Sequence, residues 1–131
     1  MIRRPTILRD LYAWHRQALA GLKPQVTHEP QCGWFKRRLV QGGPMVPARI
    51  WMHQELDEDG ELTAPEELRC EVGGKRRDPV DEWTWICADP ISEADYNYMV
   101  ADAEWLRTHH PSSPEANPTA RAVSRSIPPL F

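Results

Sequence analysis

Aromatic and cationic side chains alternate along Trp34-Phe35-Lys36-Arg37-Arg38 and again along Arg49-Ile50-Trp51-Met52-His53. In an extended strand every second side chain points the same way, so Trp34, Lys36 and Arg38 share one face. Hairpin pairing brings Arg49, Trp51 and His53 beside them. Rings interleaved with cations on an open sheet stack bases and neutralise phosphates, which is how such sheets hold single-stranded nucleic acid. The aromatic sequence signature of the commonest RNA-binding sheet is absent. In the competing reading one tryptophan closes a second small core while the arginines pair with nearby acids.

Those acids form two runs. Seven lie between Glu55 and Glu67 and eight between Asp78 and Glu104, the second run free of Lys and Arg. Asp57, Glu58, Asp59 and Glu61 are the candidate acidic contact face for a partner, presenting carboxylates to a cationic site as nucleic-acid mimics do. Asp57-Glu58-Asp59-Gly60-Glu61 is only a fragment of a calcium-loop pattern and lacks the later ligand spacing. A solvated turn and a solvated helix face are the plainer account. Positive charge gathers in Arg3-Arg4, Lys36-Arg37-Arg38 and Lys75-Arg76-Arg77, so two faces of opposite sign are expected at a net charge of −3.

No spacing arranges the five histidines and many carboxylates for catalysis. HExxH, GxSxG and Walker-type glycine loops are all missing. His109-His110 before Pro111 reads as a surface helix end. Cys32, Cys70 and Cys87 form no close pair, which argues against a disulfide framework or a CxxC metal site, and they read as buried, reduced thiols. No catalytic residue, metal site or cofactor is therefore expected.

The elements that must position these groups follow from periodicity. Ile7, Leu11, Trp14 and Ala18 recur at the helical period, with Leu8, Tyr12, His15 and Leu19 widening the stripe, so a helix is expected over Thr6 to Ala20 with Gly21 as its stop. Leu22 to Gly33 reads as an extended connection. Trp34 to Val40 and Met45 to Glu55 read as a hairpin of strands in which Val46, Ala48, Ile50 and Met52 face a core. Pro47 cannot donate to a ladder and is expected at an edge or a bulge. Leu68, Cys70 and Val72 mark a third strand, and Gly73-Gly74 fits a two-residue loop into a short basic strand, Lys75 to Arg77. A short helix carrying Trp83 is expected over Pro79 to Cys87, although Trp85 and Ile86 would also suit a strand. A longer one starts at Ser92, where Ser92-Glu93-Ala94-Asp95 has capping-box spacing, with Ala94, Tyr98, Ala101 and Trp105 on one stripe and Pro111 as its stop.

The expected fold is thus α+β: an antiparallel sheet of three to four strands packed against an N-terminal and a C-terminal helix, with a Pro-rich tail. The 131 residues suit one domain, taken as residues 1–110, and residues 111–131 hold five of the 13 prolines and read as a tail or strap. Six tryptophans are expected to supply much of the core. No apolar run approaches the roughly 18 residues of a membrane span, and no signal-peptide pattern follows Met1, so a cytoplasmic protein without a membrane partner is expected.

Gly33-Trp34-Phe35-Lys36-Arg37-Arg38, Gly42-Gly43-Pro44, Val46-Pro47-Ala48-Arg49-Ile50-Trp51, Asp59-Gly60-Glu61-Leu62 and Asp89-Pro90-Ile91-Ser92-Glu93-Ala94-Asp95-Tyr96 occur here in an order that resembles a group of small uncharacterised proteins encoded by phages and prophages of proteobacteria. The resemblance covers residues 8–131 and implies an accessory phage product that binds a host or phage protein complex. Such a product would modulate or inhibit a host macromolecule, as an anti-defence protein does. The alternative is a single-stranded nucleic-acid-binding module working through the Trp34, Lys36, Arg38, Arg49, Trp51 and His53 face.

Overall fold

The computed structural model describes residues 4–22, 28–114 and 116–119. Its elements in chain order are α1 (Leu8–Leu11), α2 (Ala13–Leu19), β1 (Gly33–Arg38), β2 (Met45–His53), β3 (Glu67–Val72), β4 (Lys75–Arg77), α3 (Pro79–Ile86) and α4 (Glu93–His109). The four strands form an antiparallel meander in the order β1-β2-β3-β4. The chain is therefore α+β, with a short N-terminal helical segment and a long C-terminal helix.

Alternation along β2 produces the core. Val46, Ala48 and Ile50 are buried with Phe35 of β1 and with Cys70 and Val72 of β3, and α3 adds Trp83 and Ile86 from above that face. Pro79 at the start of α3 needs no amide partner, and the Asp78 carboxylate caps the helix by accepting from the Val80 and Asp81 amides. Two of the six tryptophans serve this core, Trp83 fully and Trp14 in part. Trp85 and Trp105 lie exposed, so tryptophan supplies less of the core than the expected large share.

Three local expectations are also revised. The single helix over Thr6 to Ala20 is two short helices, broken at Tyr12, whose φ of −100° and ψ of 12° interrupt the helical path. The break turns Tyr12 and Trp14 towards the sheet, while Ile7, Leu8 and Leu19 stay exposed. Pro47 sits in the interior strand β2, opposite Lys36 of β1. Its carbonyl accepts from the Gly73 amide, so its nitrogen also faces the β3–β4 turn, where the ladder has ended and no donor is needed. On α4, Ser92 caps as expected by accepting from the Asp95 amide. The stripe that packs, however, is Tyr96, Met99, Ala103 and Leu106, and Ala94, Tyr98, Ala101 and Trp105 face away from the sheet.

The two sheet edges differ. At β1 the chain returns as Asp89-Pro90-Ile91: Lys36 donates its amide to Asp89, and the Ile91 amide donates to the Trp34 carbonyl. His15 locks this seal. Its Nε2 lies 3.0 Å from the Trp34 carbonyl and 2.8 Å from the Ile91 carbonyl, and because both partners only accept, Nε2 carries the hydrogen. At β4, Lys75, Arg76 and Arg77 are exposed and end the sheet.

All three cysteines are free, Cys32 and Cys70 buried and Cys87 half-buried. Burial pushes the Cys32 thiol up to about 11 and the Cys70 thiol up to about 12. At pH 8 a thiol-specific reagent is therefore expected to modify Cys87 quickly, while Cys32 and Cys70 react only as fast as the fold opens. Between about pH 9 and pH 11 both raised thiols keep their protons when folded and lose them when unfolded. Their contribution to stability is thus whole below about pH 9 and is lost as pH climbs towards 11–12, which denaturant titrations across that range would show.

A candidate interaction face on the outer side of the sheet

Strand register assembles the face opposite the core. Trp34, Arg49, Glu71 and Arg76 lie in one row across all four strands, Trp51 and Arg69 in the next, and His53 and Glu67 in a third. Helix α4 covers the other end of this face, where Met45, Pro47 and Glu71 lie across from Tyr96, Met99, Ala103 and Leu106 with a cleft between them that Pro118 also lines. What remains open centres on Trp51.

The Trp51 ring is half-buried. The Arg49 guanidinium lies over it at 4.2 Å from the ring centroid, and that of Arg76 at 5.0 Å. Each such contact contributes roughly 0.5–1 kcal/mol at an exposed site. Arg49 also donates from Nε to Glu71 at 3.1 Å, Arg69 pairs with Glu67 at 3.6 Å, and His53 faces Glu55 at 3.3 Å. Among the described residues Arg76 has no carboxylate within ion-pair distance, nor do Lys75 and Arg77.

All six residues expected to form a nucleic-acid face do share one side of the sheet. They do not share one environment. Trp34 is stacked against Tyr12 with centroids 4.9 Å apart and planes 19° apart, so one face of its ring is taken. Arg38 donates from Nε to the Gly43 carbonyl and holds its own hairpin turn. Lys36 lies opposite Pro47, at the end where α4 crosses the sheet. Arg49, Trp51 and His53 form the open patch, joined by Arg69 and Arg76. Burial raises the Tyr12 and Tyr96 phenols, which flank Arg49 from the break between α1 and α2 and from α4, and keeps them protonated.

The acidic candidates lie on a hairpin arm that continues β2 and β3 beyond the sheet. Leu56 bridges Leu62, and Thr63 donates both its amide and its hydroxyl to the Glu55 carbonyl. Asp57 shapes the tip: its Oδ1 accepts from the amides of Asp59 and Glu61 at 2.9 and 3.0 Å. Asp57 is thus largely occupied with the turn, while Glu58 and Asp59 present exposed carboxylates on a formed tip and Glu61 is half-buried. At the base of the arm Glu66 accepts from Gln54 at 2.7 Å and from the Thr6 amide and hydroxyl. The Gln54 bond, helped by those from Thr6, lowers its carboxyl below the usual range. The N-terminal segment is tied to the arm at this point.

No family model, no curated protein and no solved structure matches the chain. Among the described residues no group of three or more His, Cys, Asp or Glu side chains is placed to hold a metal ion, and no helix is long and apolar enough to cross a membrane.

Sequence reasoning placed Lys75 to Arg77 on a strand but missed Arg76, Arg69 and Glu71 as neighbours of Trp51. The signal was present. Gly73 and Gly74 have φ of 59° and 83°, the pair of positive values a two-residue type I′ turn requires. Such a loop sets Arg76 opposite Glu71, and so one strand from Arg49.

Proposed function

We propose that this chain is a non-enzymatic, cytoplasmic binding protein of the phage-accessory kind. It engages a host or phage protein complex and modulates or inhibits it in the manner of an anti-defence protein. The contact centre is the Trp51 patch, with the tip of the acidic arm as a second, charged contact. The observation that supports this reading is the half-open Trp51 ring with two guanidiniums over it, on a face whose other half α4 covers. Tryptophan, tyrosine and arginine are the residue types on which protein–protein affinity concentrates. Glu55, Glu67 and Glu71 sit among the cations of the same face, a mixture that suits a protein surface better than a run of phosphates.

Single-stranded nucleic acid is the second reading, favoured by the common face of Trp34, Lys36, Arg38, Arg49, Trp51 and His53. One set of measurements separates the two. With the immobilised chain and a host lysate, Trp51→Ala is expected to lower retention of a specific partner at least tenfold while moving the melting temperature by no more than about 2 °C. Glu58→Lys with Asp59→Lys should weaken it further, and Asp57 is left intact because it shapes the turn. Micromolar binding of a fluorescent single-stranded oligonucleotide that falls steeply with salt and disappears in Trp51→Ala would overturn the protein-binding reading in favour of the second.

A further inference from the structure

We infer that the open edge of β4 accepts an extended acidic segment of the partner as a fifth strand, an inference that rests on the protein-binding reading of the adjoining Trp51 patch. The two edges of the sheet are not equivalent. Asp89 and Ile91 bond the β1 edge and His15 fastens them there, whereas no described residue bonds the outer side of β4.

The hairpin loop fixes which groups β4 offers. Val72 and Lys75 flank the two-residue loop and exchange both of their backbone bonds, so the next pair, Glu71 and Arg76, is a non-bonded one. The amide and carbonyl of Arg76 therefore point away from β3, towards solvent. Arg76 also carries the guanidinium that lies over Trp51. A strand added here would bond the Arg76 backbone and bring its own side chains to the rim of the Trp51 patch.

Charge selects the occupant. Lys75, Arg76 and Arg77 are consecutive, exposed and without an ion-pair partner among the described residues. Cations on an edge strand ordinarily discourage strand addition. Here three in a row repel a basic strand and the β4 of a second copy, since that pairing would set six like charges against one another. A strand of glutamate or aspartate meets the opposite condition, so one device both rejects self-association and admits an acidic segment. Main-chain bonds then supply affinity and the charges supply selection, as in other strand additions.

The probe is a fluorescein-labelled heptapeptide of alternating glutamate and valine, titrated into the full chain at low salt. Binding that slows exchange of the Arg76 amide at least tenfold, and that falls at least tenfold when the peptide's edge-facing amides are N-methylated, is the expected result. A matching lysine–valine peptide should not bind wild type but should bind the triple variant Lys75→Glu, Arg76→Glu, Arg77→Glu, which keeps the backbone and reverses the charge of the edge. Equal binding by the N-methylated peptide would overturn the inference, since charge alone would then account for it. So would no binding at millimolar peptide, or protection that leaves Arg76 unaffected. If Trp51→Ala still releases the lysate partner while the peptide fails any of these tests, the edge inference falls and the protein-binding reading stands.

Discussion

Phe35→Ala is expected to destabilise the chain by about 3–5 kcal/mol, the range for emptying a fully buried aromatic site. Phe35 has no exposure at all. Its ring is walled by three others, with centroids at 5.6 Å for His15, 5.6 Å for Trp83 and 6.3 Å for Trp14. These belong to α2 and α3, and His15 is itself held by two carbonyls, so the walls cannot close over the space. Domains of this size have roughly 5–15 kcal/mol in all, so a large share of the total is lost. In urea, at a slope of about 1–3 kcal/mol per molar, the midpoint should fall by about 2 M with the slope unchanged. Phe35→Leu keeps most of the volume and should cost under about 1.5 kcal/mol. A midpoint unmoved by Phe35→Ala would show that the ring cluster is not the centre of the core.

Gly33→Ala, the addition of one methyl group, is expected to cost about 2–3 kcal/mol. A Cβ at Gly33 would lie 2.6 Å from Cδ2 of His15, 2.8 Å from Cγ and 3.0 Å from Cβ. Side chains at an overpacked site usually relieve such a clash by rotating. The imidazole cannot rotate without leaving the Trp34 and Ile91 carbonyls that its Nε2 joins, so the clash is relieved only by loosening the edge seal. The check is a double-mutant cycle. His15→Ala alone should also destabilise, by about 2–4 kcal/mol, because it opens space and takes from the Ile91 carbonyl the donor that His15 supplies. With the ring gone the new methyl has room, so the double mutant should be more stable than the sum of the two effects by about 1–3 kcal/mol. Strict additivity would mean that the two residues do not meet.

The sheet could be read from the sequence because its signals are local and agree with one another. Val46, Ala48 and Ile50 alternate into the core, Gly73-Gly74 permits only a tight turn, and Ser92 precedes a helix with the right acid three residues on. Which face of α4 packs was not legible in the sequence, for a physical reason. Ala94, Tyr98, Ala101 and Trp105 fit the helical period as well as Tyr96, Met99, Ala103 and Leu106 do, and only the position of the sheet decides between two apolar stripes. The N-terminal helix misled in the same way, since apolar spacing gives no sign of the break at Tyr12. For the site, Trp34 and Trp51 were correctly set on one face, but what distinguishes them lies far along the chain. Tyr12 takes one ring, and Arg76 attends the other from 25 positions away. Residues 120–131, which include the end of the Pro-rich segment, lie outside the described residues.

The seal on β1 has a consequence for the order of events in folding. The meander from Gly33 to Arg77 joins neighbours in sequence, whereas the bond from His15 to Ile91 closes 76 residues. Closing short loops precedes closing long ones. We therefore expect the four strands to assemble first and the N-terminal helices to dock only after residue 91 has been made and placed. Until then the β1 edge is bare, and a nascent chain is most prone to pairing with a neighbour during that interval. Native-state hydrogen exchange would test the order: the Lys36 and Ile91 amides should open at lower free energy than those of the β2–β3 ladder, and equal protection would mean that strand and seal form together.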